Sequence, residues 1–207
     1  MKATGVFLLT LCCCSVASAE DAERRYGKPL ATGEFQGSRG DAPDKYLAYT
    51  STTIRYNIRY RHQSNGRTVS AWLSAADVYA VFLPKDSWWD APPDNRSLLD
   101  HEQGHFDITQ AIALEFQLDV QRQLARGKAM LVTARDVETA TAALQAKFAK
   151  LKDSYEQRMQ AEHARYDRVT DNGIAPRPQA AERRRQREVI RRAQSELESF
   201  QRKRARS

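Results

Sequence analysis

The chain has 207 residues, 41% apolar and 29% charged, with a formal net charge of +7. That length is a prior for one domain, and the apolar share can supply a core beneath a heavily charged surface. Whole-chain disorder is excluded because aromatic and β-branched residues recur as far as Asp167. A multi-spanning membrane protein is excluded because one long apolar run exists, at the extreme N-terminus.

That run, residues 1–19, reads as a secretory signal peptide. Lys2 is the basic start, Val6 to Val16 the apolar stretch, and Ala17-Ser18-Ala19 the small-residue site, with cleavage expected after Ala19. All three cysteines lie inside it, so the mature chain is expected to use neither disulfides nor thiolate ligands. A periplasmic or secreted location follows. Residues 20–50, with Gly27, Pro29, Gly33, Gly37 and Gly40, read as a flexible or loosely docked lead-in.

A folded domain is expected over 51–173. Ile54, Tyr56, Ile58 and Tyr60 alternate with Arg55, Asn57, Arg59 and Arg61, the period-2 mark of a half-buried strand. Asn65-Gly66 supplies a hairpin turn. Val69, Ala71 and Leu73 predict a partner strand, and Val78 to Leu83, closed by Pro84, a third. A small, mainly antiparallel sheet is therefore expected over about 52–83.

Lys85 to Asn95, with Trp88 and Trp89, reads as an ordered loop. A helix over about 97–126 should follow, capped by Asp94 or Ser97 and stopped by Gly127. Its inward stripe is Leu98, His101, His105, Ile108, Ile112, Phe116 and Val120. A second long helix is expected over about 135–168, with Val137, Ala140, Leu144, Phe148, Leu151, Tyr155, Met159, Glu162 and Tyr166 on one face. Thr170-Asp171-Asn172-Gly173 ends it. Strands followed by two helices make an α+β layout.

The chemistry is concentrated in Leu98-Leu99-Asp100-His101-Glu102-Gln103-Gly104-His105-Phe106-Asp107. Histidines four apart on a helix share a face, so His101 and His105 can address one ion. Zn2+ accepts imidazole nitrogen and, for catalysis, needs three protein ligands and an open position. Glu102, beside the first ligand, is placed to act as general base. H-E-x-x-H arises by chance roughly 0.004 times in a chain of this composition. Asp100 and Asp107 are candidate carboxylates for orienting an imidazole. Gly104 either admits close approach of another segment or is tolerated at a helix cost of ~1 kcal/mol.

The third ligand must come from elsewhere, and the end of the second helix offers Glu162, His163, Tyr166 and Asp167. Asp167 is favoured as a hard oxygen donor near a helix end. Glu162 lies on the apolar stripe, and His163 has the better donor type but lies one step off it. Tyr60, Tyr155 and Tyr166 are candidates for stabilising an oxyanion.

The stretch from Leu99 to Ile108 resembles the core of a bacterial family of predicted secreted zinc-dependent proteases, long catalogued as a domain of unknown function. Ser87-Trp88, Tyr166-Asp167-x-x-Thr170-x-x-Gly173 and Gln179 resemble the same pattern. The likeness covers roughly residues 50–200, tightly at 98–108 and more loosely after 160. It implies a zincin-like fold and a peptidase activity. Two positions depart: the family carries Glu where this chain has Val169, and His where it has Asn172.

From Ile174 onward there are 11 basic and 4 acidic residues, so the positive charge of the chain resides in 174–207. Val189, Ile190, Ala193, Leu197 and Phe200 recur at helical spacing, which predicts an amphipathic basic helix packed back on the domain. Arg202 to Arg206 are expected to be disordered. An anionic envelope polymer or a membrane surface is the accessible partner for such charge. No specific nucleic-acid binding is expected, because the run lacks interleaved aromatics. The leading reading is an exported zinc metallopeptidase acting on peptide or protein substrates. The alternatives are a metal-binding envelope protein without hydrolytic activity and a cationic binding module acting through the tail.

Overall fold

In the computed structural model residues 23–43 and 46–205 are described, and the signal-peptide reading of 1–19 lies outside them. The sheet is built on a long antiparallel hairpin of β3 (Thr52–Ser64) and β4 (Val69–Phe82). Its turn holds Gly66 at φ +86°, while Asn65 Oδ1 accepts from the Arg67 and Thr68 amides at 2.9 and 2.8 Å. This is the side-chain and glycine chemistry that a tight reversal demands.

The two strands expected at 69–73 and 78–83 are one. Pairing runs Arg59↔Ala75 and then Tyr60↔Leu73, so Ser74 is an extra residue on β4. The bulge reverses the alternation: Val69, Ala71 and Leu73 face the core before it, and Ala76, Val78, Ala80 and Phe82 after it. A change of parity without a turn reads, in sequence, like two strands.

Residues 23–43 and 46–50 carry strands and tertiary contacts that a flexible lead-in would lack. Arg24–Arg25 form β1, which pairs with the end of β4. Ala48–Tyr49 form β2, which pairs with β5 (Trp88–Trp89) in a small second sheet. Between them the Leu30 amide donates to Gln103 Oε1 at 2.6 Å, fastening this segment to the motif helix.

That helix, α1, spans Arg96–Ala125. Neither Asp94 nor Ser97 caps it; Asn95 does, its side chain accepting from the Leu98 amide at 3.1 Å. Gly127, at φ +74°, turns the chain into an unforeseen strand, β6 (Ala129–Ala134), which pairs with the first half of β4. Helix α2 spans Val137–Thr170, capped by Asp136. It ends with Asp171, Asn172 and Gly173 all at positive φ, and α3 follows over Pro176–Ala205, so the helix continues through Arg202–Arg204, which were expected to be disordered.

The main core lies between the sheet and the inner faces of α1 and α2. Phe116, Phe148 and Tyr56 meet there with centroids 5.6 and 4.9 Å apart, and Phe82 meets Phe106 at 6.1 Å. Helix α3 covers the opposite side of α1, where Ala111, Leu114 and Leu118 pack with Ile190 and Ala193. The motif helix is thus enclosed on two sides, and its polar groups sit in a low-dielectric setting. The α+β class and the small antiparallel sheet stand as expected, with three long helices.

Candidate metal centre

His101 and His105 lie one turn apart on α1 and turn their Nε2 atoms toward a common point, 3.3 Å from each other. Asp167, in the last turn of α2, places Oδ1 2.9 Å from His105 Nε2 and 3.3 Å from His101 Nε2. Ligand atoms on a tetrahedral ion with bonds of about 2.0–2.1 Å stand about 3.3–3.4 Å apart. The three donor atoms therefore form a triangle close to one face of such a tetrahedron. Two imidazoles and one carboxylate are a donor set suited to a borderline cation of the zinc kind.

The other two candidates from α2 are directed elsewhere. Glu162 accepts from Arg165 and Arg185, each at 3.0 Å, and these guanidiniums outweigh burial to hold its carboxyl below the usual range. His163 stands behind His105, with Nδ1 2.9 Å from His105 Nδ1 and Nε2 3.3 Å from Thr109 Oγ1. Val169 faces outward and Asn172 lines the cleft in front of the cluster, and neither belongs to the donor triangle.

Residues of the α2 terminus hold the imidazoles in place. Thr170 Oγ1 lies 3.4 Å from His101 Nδ1 and donates to the Tyr166 carbonyl at 2.8 Å, so its oxygen is available to accept from the ring. The Tyr166 ring stacks on His101 at 4.9 Å with an interplanar angle of 11°, and meets His105 edge-on. Gly104 exists for that ring: a Cβ there would stand 2.2 Å from the tyrosine oxygen. A Cβ on Gly173 would come within 3.0 Å of the His101 ring. Close approach is the reason for Gly104, and close approach together with a φ of +87° is the reason for Gly173.

Charge follows geometry. Burial raises the Asp167 carboxyl, but the two imidazoles opposite it prevail and hold it well below the usual carboxylate range. Burial lowers His105, yet its hydrogen bond to Asp167 and the charge of Glu102 leave it raised overall. Burial, helped by His105, pushes His163 down to about 3, so that ring is neutral.

The donors form part of the floor of a cleft of about 970 Å³. Glu102 opens on the same cleft; it is 4% exposed, and its Oε2 has no hydrogen-bond partner among the described residues. The cleft walls include Tyr46, Leu47, Tyr49 and Thr50 from the N-terminal segment, Trp88 from β5 and Ile174 after α2. Sequence reasoning missed these except Trp88, because the segment carries no periodicity. Thr50 Oγ1 is a second buried atom in this cleft without a partner among the described residues. Two such orphans in one cleft mark a place where a bound group would be satisfied.

Several expectations need correction. Asp100 and Asp107 touch neither imidazole. Asp107 is buried on the back of α1, where it accepts from Tyr26 at 2.9 Å and Gln103 at 2.7 Å and pairs with Arg183 of α3. Arg183 also donates to Asp100 at 3.1 Å. No tyrosine proposed for an oxyanion lines the cleft. Tyr166 is wholly buried, Tyr155 stacks on Phe116, and Tyr60 lies beside His62. No protein family, curated protein or solved structure matches this chain.

Proposed function

We propose that the chain is an exported, zinc-dependent metallopeptidase that hydrolyses peptide bonds. The observation that carries this reading is the buried, unpartnered Oε2 of Glu102 opening on the cleft that holds His101, His105 and Asp167. The motif's resemblance to secreted zinc-dependent proteases supports it, as does the reading of residues 1–19 as a signal peptide.

A zinc ion bound by this triangle would polarise a substrate carbonyl and acidify water. Glu102 takes a proton from the attacking water as its oxygen adds to the carbonyl carbon. It returns that proton to the amide nitrogen as the C–N bond breaks, leaving a carboxylic acid and an amine. Asp167 supplies a negative donor that offsets part of the ion's charge. Tyr46, Leu47 and Tyr49 give one wall an apolar surface on which a peptide side chain can lie while water is excluded.

Metal content by elemental mass spectrometry tests the first step: about one zinc per chain in the parent, and none in His101→Ala/His105→Ala. Cleavage of a peptide library tests the second. Glu102→Gln should keep the metal and lose hydrolysis by several powers of ten. No zinc in the parent after zinc is supplied would overturn the metal assignment. Undiminished cleavage by Glu102→Gln would overturn the mechanism. Zinc binding without cleavage of any peptide would favour a metal-binding envelope protein. The cationic-module reading loses Arg183, which is buried against Asp107, and rests on the exposed basic residues of α3 such as Arg184, Arg187 and Arg192.

A further inference from the structure

His163 holds an unusual position behind the donor triangle, and both its ring nitrogens are engaged. If His105 offers the lone pair of Nε2 to an ion, its proton must reside on Nδ1. That Nδ1 faces His163 Nδ1 at 2.9 Å. A hydrogen bond there needs one donor and one acceptor, so His163 Nδ1 must be bare and its own proton must lie on Nε2. His163 Nε2 in turn faces Thr109 Oγ1 at 3.3 Å. Thr109 Oγ1 lies within reach of the His105 carbonyl at 3.3 Å and 2.7 Å from Thr52 Oγ1 on β3, so its proton also has a destination. One arrangement of protons satisfies every member of this chain.

Metal-bound histidines usually donate their second nitrogen to a carboxylate, a backbone carbonyl or water. Asp100 and Asp107, the carboxylates flanking the motif, are engaged on the other side of α1. A neutral imidazole takes the place instead. Neither nitrogen of His163 is left for the ion, so it is no fourth ligand.

We infer that His163 is a positioning residue: it accepts the His105 Nδ1 proton, fixes that ring with Nε2 toward the centre, and is itself anchored by Thr109. The inference rests on the metal reading for its purpose, although the hydrogen bond can be observed without metal. A neutral acceptor adds less basicity to His105 than a carboxylate would, so a bound ion keeps more of its charge.

Nitrogen NMR of the ¹⁵N-histidine-labelled full chain tests this directly. In the zinc-loaded protein His163 should be the Nε2–H tautomer, and an N–N coupling between His105 Nδ1 and His163 Nδ1 should be present with or without the metal. Zinc affinity should fall about 10–100-fold in His163→Ala. His163→Gln, whose Oε1 can accept and whose Nε2 can donate to Thr109, should recover most of the loss. Melting of the metal-free variants separates positioning from folding, and Thr109→Val, cutting the far end of the chain, should weaken zinc binding if His163→Ala fails to fold. A His163 protonated on Nδ1 in the zinc-loaded protein, or unchanged zinc affinity in folded His163→Ala, would overturn the inference. A parent that binds no zinc would overturn the metallopeptidase reading, and the coupling would still decide whether His163 holds His105.

Discussion

Replacing Gly104 by alanine makes a demanding test, because two physical effects of opposite sign meet there. In an ordinary helix interior the exchange stabilises by about 1 kcal/mol, since alanine loses less backbone freedom on folding. Here the new methyl would stand 2.2 Å from the Tyr166 oxygen and 2.4 Å from Cζ. Carbon contacts settle at about 3.5–4.0 Å, so the ring must move by more than 1 Å. Tyr166 is fully buried and stacked on His101, which leaves it no free direction. Overpacking of this kind costs about 1–3 kcal/mol, occasionally more. With no free direction for the ring the cost lies at the upper end of that range, and subtracting the helix gain leaves a net destabilisation of about 2 kcal/mol, a fall of several degrees in melting temperature. Asp167 follows Tyr166 in the chain, so zinc affinity should fall as well, by tenfold or more. Urea unfolding of the metal-free protein with a zinc titration measures both. An alanine variant as stable as the parent, with unchanged affinity, would refute the close-packing argument.

Tyr166→Phe should have the opposite character: its buried hydroxyl has no partner, so removing it should leave stability unchanged or raise it by about 1 kcal/mol, read by the same unfolding assay. Arg183→Met should leave Asp107 buried without its cation, costing about 3–5 kcal/mol, visible in chemical unfolding although the site is on the other side of α1. The pH dependence of the metal-free fold has a definite sign. His163 is depressed to about 3, so its contribution is present above the unfolded histidine value of about 6.5 and is lost as pH falls toward 3. His105 is raised, so its contribution is present below that unfolded value and is lost as pH rises through its folded one. Melting curves should therefore weaken on acidification between about 6.5 and 3 in the parent, and less so in His163→Gln.

What was legible in the sequence was what obeys a short period. His101, Glu102 and His105 express their geometry within five residues, and the long stripes of α1 and α2 announce both helices. Asp167 could be favoured by its place at a helix end, but the exclusion of Glu162 depends on Arg185, an α3 residue brought in by tertiary packing. Strand β4 misled because a bulge at Ser74 changes its parity. β1 and β2 are two residues each, too short to leave a pattern, yet β2 forms a wall of the cleft. Arg183 sits in a run of basic residues, and only its spacing from Gln179, Gln186 and Ile190, all buried, marks it as inward-facing.

The placement of the donors sets an order of events during synthesis. His101 and His105 emerge early, whereas Asp167 lies 62 residues after His105, and the arginine that locks the back of α1 comes later still, at 183. A nascent chain that has produced its motif offers two histidines and no closed site. The three donors converge only when α2 has returned across α1. An ion held by this triangle would therefore be captured only after α2 has been made, and a product truncated before Asp167 would carry the recognisable motif with two of the three donors.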